Sequence, residues 1–267
     1  AIAQWRQIAV TSAPPVRSGF SLVPDPNGGV LLFGGDANNP AATEWHWSGT
    51  EWASVTTPVP RRDGQAAAVH GPSGAVYVFG GVGPGTTLLN DLWRLDGAGW
   101  SQVTPPHSPP WLRQMTMAYD ARTDAMVLVG RNGTQFETWS FRAGDWTLEP
   151  QGALPGTGDV QLFADTVRGE VGAFSLESNS LVVHLFHEGA WHAVASAPGI
   201  TGAGAAAFDS QRGRAVWFAH AVGRPADTFE WDGLRLRPVG TVAAPGVILP
   251  GQLAMVQDAA RSEVLMV

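Results

Sequence analysis

The stretch that decides the fold is Met117-Ala118-Tyr119-Asp120-Ala121-Arg122-Thr123-Asp124-Ala125-Met126-Val127-Leu128-Val129-Gly130, followed by Trp139-Ser140-Phe141-Arg142-Ala143-Gly144-Asp145-Trp146. An apolar run, an Asp-headed polar turn and a second apolar run read as a hairpin. Two large side chains at i and i+2, a Gly-containing turn and a closing tryptophan read as another. Four short strands therefore occupy about one period of the chain.

The unit repeats. The closing tryptophan returns every 45 to 48 residues, at Trp5, Trp52, Trp100, Trp146 and Trp191, with Leu236 in the sixth place. The pair before the turn recurs as Trp45 and Trp47, Trp93 and Leu95, Trp139 and Phe141, His184 and Phe186, and Phe229 and Trp231. Apolar second strands recur from Val30, Val76, Met126, Val171, Ala215 and Val264. Such a period signals a ring or solenoid of one supersecondary unit, and four strands per unit predict propeller blades.

The Phe-Gly-Gly at 33–35 and 79–81, the Asp-Leu-Trp at 91–93 and the terminal tryptophan of each copy resemble the kelch motif, and the Asp120-Ala121-Arg122 hairpin is similar to its bacterial form. The resemblance covers essentially the whole chain. It implies an all-β fold: a six-bladed kelch-type β-propeller formed by residues 1–267 as one domain. The segment at Trp5 is expected to pair as the outer strand of the blade that holds Leu253 to Val267. That arrangement still lacks a third strand in the last blade, so the open edge calls for a cut-short chain or a strand from another segment or chain.

Composition narrows the function. A net charge of -7 argues against nucleic acid, which needs a basic face. No apolar run approaches the ~18 residues of a membrane span, so no membrane insertion is expected. The absence of cysteine removes thiolate metal sites and leaves the compartment open between secreted, periplasmic and cytoplasmic. All 16 basic residues are arginine, which excludes Schiff-base chemistry on lysine. A start at Ala1 without methionine is read as a processed product or an excised domain.

The resemblance places ligand sites on the face carrying the loops that enter each first strand and those joining second to third strands. Entry loops carry Arg17, Arg61, Arg62, Arg113, Asp159 and Gln252; joining loops carry Asp36, Asn38, Asn39, Asn90, Arg131, Asn132, Glu177 and His220. The planar guanidinium matches carboxylates, so an arginine cluster suits an acidic peptide or small anion. The same arginines could instead brace neighbouring blades. Trp111, outside the repeat pattern in a Pro-rich loop, is available to stack on a sugar ring or an apolar side chain.

Two functions follow as expectations: a binding module for a protein, peptide or small anionic ligand, or an acid/base enzyme using Asp159, Glu177 or His220 at the channel mouth. No cofactor and no metal are called for. Galactose-oxidase-like copper chemistry requires a cysteine that is absent, and the iron set of the specifier proteins is not found in register. His184 and His187 lie three apart, and His184 fills an aromatic position, so it reads as packed core. Asp120, Asp165, Asp209 and Asp258 read as caps of their own turns.

Overall fold

The computed structural model describes residues 5–35, 44–55, 60–156, 158–219, 227–239 and 253–267. Strands alternate with tight turns throughout, and the 3-10 turn Pro84–Thr86 is the one helical element among the described residues. No helix among them is long and apolar enough to cross a membrane.

Five four-stranded antiparallel sheets follow one another along the chain. The first contains β1 (Phe20–Pro24), β2 (Val30–Gly34), β3 (Glu44–Trp47) and β4 (Trp52–Val55). The second contains β5 (Ala66–Val69), β6 (Val76–Val82), β7 (Leu88–Asp96) and β8 (Gly99–Val103). The third contains β9 (Arg113–Asp120), β10 (Ala125–Asn132), β11 (Gln135–Arg142) and β12 (Asp145–Leu148). The fourth contains β13 (Val160–Asp165), β14 (Glu170–Glu177), β15 (Ser180–His187) and β16 (Ala190–Pro198). The fifth contains β17 (Gly204–Asp209), β18 (Arg214–Ala219), β19 (Asp227–Trp231) and β20 (Leu236–Val239).

The chain is an all-β propeller with five blades, not the six expected. Among the described residues the sixth copy of the repeat forms a two-stranded sheet, β21 (Met255–Asp258) with β22 (Glu263–Met266). The reason is one of pairing. Residues 5–10 adopt no strand, and no backbone hydrogen bond joins them to β22 among the described residues. Their side chains still pack against this hairpin: Trp5 joins Leu253, Val264 and Met266, while Ile8 and Val10 join Val256, Leu265 and Val267.

The core sits in the seams between successive sheets, because each sheet is apolar on both faces. One seam joins Phe33 and Val78, another Phe79 and Leu128, another Val129 and Ala173, and another Phe174 and Trp217. The last two lie on either side of the β21–β22 hairpin. Asp120, Asp165, Asp209 and Asp258 accept backbone N–H bonds in their own turns at 2.9 to 3.1 Å, as expected.

Gly34, Gly35, Gly80 and Gly81 all have positive φ. A Cβ on Gly81 would lie 2.6 Å from the Asp63 carbonyl oxygen, so the second glycine lets the entry segment of the first strand close against the end of the second.

Candidate functional site

The first-strand entry segments and the loops joining second to third strands share one face, since four antiparallel strands begin and end there. The register shows that the entry arginines are not equivalent. Ser21, Ala66 and Thr116 pair with Phe33, Phe79 and Val129, so Arg17, Arg62 and Leu112 occupy one structural position and Arg113 the next.

At that shared position the arginines are braces. Arg62 is buried; its Nε donates to Pro60 O at 3.0 Å and its Nη1 to Gly80 O at 3.0 Å. Two further bonds, at 2.9 and 3.0 Å, hold the Asp91 carboxylate. Burial pushes the Asp91 carboxyl up, but the Arg62 bonds and charge outweigh it and hold the group below its ordinary value. Arg17 repeats the pattern, donating to Pro15 O and Gly34 O at 3.2 Å each. Neither guanidinium is displayed at the mouth.

Leu112 takes the brace position in the third blade and is buried there, so the arginine one residue later turns outward. Arg113 is exposed and forms no ion pair among the described residues. A β-bulge at Gln114, with φ of 48°, sets Arg113 directly opposite Arg131 across β9 and β10. Arg131 lies on the same face of β10 as Val127 and Val129, turned to the seam with the fourth blade, and its guanidinium lies 4.7 Å from the Phe136 ring centre. It stands where the first two copies have their second glycine. Trp111 is 61% exposed, two residues before Arg113. The structure thus brings Arg113 and Arg131 together, with Trp111 close in the chain.

The fourth blade presents Glu177 to the same seam, because Glu177 shares a face of β14 with Val171 and Ala173. Its Oε1 accepts from Ser175 Oγ and from His184 Nε2, each at 2.6 Å. His184 is 2% exposed, and its Nδ1 is buried without a partner. His184 is packed as expected, and its bond to Glu177 is a tertiary feature, because the two meet only when β14 and β15 pair. His184 and His187 do not converge; His187 bonds to Arg122.

Asp159 works between blades. Its Oδ2 accepts from Gly204 N at 3.1 Å and its Oδ1 from Gln161 Nε2 at 3.4 Å, and burial pushes its carboxyl up. Asn90 donates to Pro109 O at 3.4 Å, which ties the Pro-rich loop to the second blade. Gln252, His220, Asp36, Asn38 and Asn39 lie outside the described residues.

No protein-family model matches the chain. Adagio protein 3 of Arabidopsis thaliana, a kelch-repeat F-box protein, is 30% identical over 154 residues, which cover 49% of this chain and 25% of that protein. Among solved structures, the SapL1 lectin in complex with alpha methyl fucoside superposes with a TM-score of 0.65 at 12% identity, covering 91% of this chain and 85% of that one. AofleA from Arthrobotrys oligospora superposes with a TM-score of 0.61 at 13% identity, covering 90% of this chain and 75% of that one. At such identities the likeness is one of architecture, and what this chain shares with these proteins is the β-propeller fold.

Proposed function

We propose that this chain is a kelch-type propeller binding module that captures a carboxylate-bearing ligand, an acidic peptide or a small anion, at the mouth of the seam between its third and fourth blades. The observation that carries this reading is the placement of Arg113 opposite Arg131. Like charges directly opposite on a ladder repel, and a bound carboxylate relieves the repulsion while accepting paired hydrogen bonds. Exposed Trp111 supplies an apolar plate beside them. The likeness to a lectin supports a role in binding, and the resemblance to Adagio protein 3 supports the kelch assignment.

The test is calorimetric titration with a short Glu-rich peptide and with its Gln-for-Glu counterpart. The acidic peptide is expected to bind, more weakly at high salt, and Arg113→Ala and Arg131→Ala are each expected to weaken it at least tenfold while the thermal midpoint holds. Equal binding of the two peptides, or binding untouched by either substitution, would overturn the reading.

An acid/base enzyme at the same mouth is the second reading, favoured by the Glu177–His184 hydrogen bond. It requires a ligand that is turned over by the parent chain and bound without turnover by Glu177→Gln.

A further inference from the structure

The fourth strand is the outer edge of each four-stranded sheet, and in four of the five it is short. β4, β12 and β20 have four residues each and β8 has five. β16 has nine, Ala190–Pro198, and it pairs with β15 along that whole length. The sheet order β13-β14-β15-β16 puts it at the edge, so a row of its backbone N–H and C=O groups is turned outward. His192, Ala193, Val194, Ser196 and Pro198 are exposed, so solvent reaches the strand from end to end.

Short length and charge are the usual guards of such an edge, and β16 has neither. Asp145 heads β12 and Arg237 stands within β20, whereas no residue from Ala190 to Pro198 is charged. The one irregularity is a bulge: Ala193 pairs with His184 and Ala195 with Val183, which leaves Val194 as the extra residue. The bulge exchanges the two faces of the strand. Trp191, before it, packs on the seam with the third blade, while Ala195 and Ala197, after it, pack on the seam with the fifth. Val194 is 44% exposed and has four residues of the strand on either side.

We infer that β16 is a self-association edge, which pairs antiparallel with β16 of a second copy of the chain about a two-fold axis at Val194. The bulge selects that occupant. It increases the local twist, so a regular extended peptide follows this edge poorly, whereas a second copy brings the same twist and the same extra residue to the axis. Pairing about Val194 sets Ala193 against Ala195, His192 against Ser196 and Trp191 against Ala197 of the second copy. No like charges meet along the pair, although each chain carries a net charge of -7. The two fourth blades then join edge to edge as one continuous sheet. Edge pairing buries little side-chain area, so the dimer dissociates on dilution.

Sedimentation velocity over a dilution series is the test. A monomer–dimer equilibrium is expected, tightened by salt because two chains of net charge -7 repel, which is the opposite of the salt dependence expected for anion capture. Val194→Lys sets two ammonium groups against each other at the axis and should weaken the dimer at least tenfold, as should Val194→Glu with two carboxylates. The position is exposed, so the thermal midpoint of the monomer should hold. An equimolar mixture of the two variants should recover the association, because a residue on the axis meets its own counterpart; this arm decides even if one variant melts lower. Leu148→Lys, at an exposed site on the short edge β12, should leave the dimer as it is. A chain that stays monomeric, a dimer that persists in Val194→Lys, a mixture that fails to associate, or a dimer lost in Leu148→Lys would overturn the inference.

Discussion

Arg62 holds the Asp91 carboxylate by two parallel bonds while the same guanidinium closes on Gly80 O and Pro60 O. This one side chain joins the entry segment of the second blade to the ends of its second and third strands. Its removal leaves Asp91, itself only partly exposed, with the Trp93 Nε1 donor but without its cation, and leaves the two carbonyl groups without their donor. Arg62→Ala is expected to cost about 3–5 kcal/mol, measured by urea denaturation.

The same pair sets an acid limit on stability. The Asp91 carboxyl is lowered from 3.8 in the folded chain, so its contribution is fully present above that value and is lost as pH falls through the folded pKa. Asp91→Asn should be less stable at neutral pH, and its disadvantage should shrink as acid is added. A disadvantage that stays constant with pH in urea melts would contradict this.

Trp146 and Trp111 should separate core from surface. Trp146 is buried against Phe79 and Phe141, and Trp146→Ala is expected to destabilise by about 3–5 kcal/mol. Trp111→Ala, at an exposed position, should change stability by less than about 0.5 kcal/mol while weakening ligand capture.

Ring closure at the N-terminal segment rests on side chains rather than a ladder. Trp5→Ala is therefore expected to lower stability by about 2–3 kcal/mol, less than Trp146→Ala, because the indole is half-buried. Thr228→Val removes the acceptor of its N–H and should cost about 1 kcal/mol. Thermal melts of the two variants measure both.

Gly81→Ala places a methyl 2.6 Å from the Asp63 carbonyl at a φ of 99°. The backbone cannot yield as a flexible side chain would, so a loss of about 1–3 kcal/mol is expected in denaturant melts. Gly85→Ala, where a Cβ meets nothing within 4 Å, should lose less.

The repeat itself was legible because blade packing imposes a side-chain pattern: aromatics two apart on third strands, a closing tryptophan, and glycine where backbone meets backbone. Those constraints are local, so residues such as Trp139, Phe141, Trp146 and Gly81 announced strands, turns and an all-β propeller. The turn caps at Asp120, Asp165, Asp209 and Asp258 were equally local. Other features depended on chain segments meeting in space. Arg17, Arg62 and Arg113 look alike in sequence, but the strand register buries the first two, and the shift of one residue together with a bulge at a non-glycine, Gln114, brings Arg113 to Arg131. The Glu177–His184 bond exists only once β14 and β15 pair. The blade count was likewise tertiary, since six copies of a motif make six blades only if each completes its backbone pairing, and here Trp5 finds its side-chain partners while its backbone joins no sheet. Sequence determines which side chains must share a face; the three-dimensional register alone decides which of them meet.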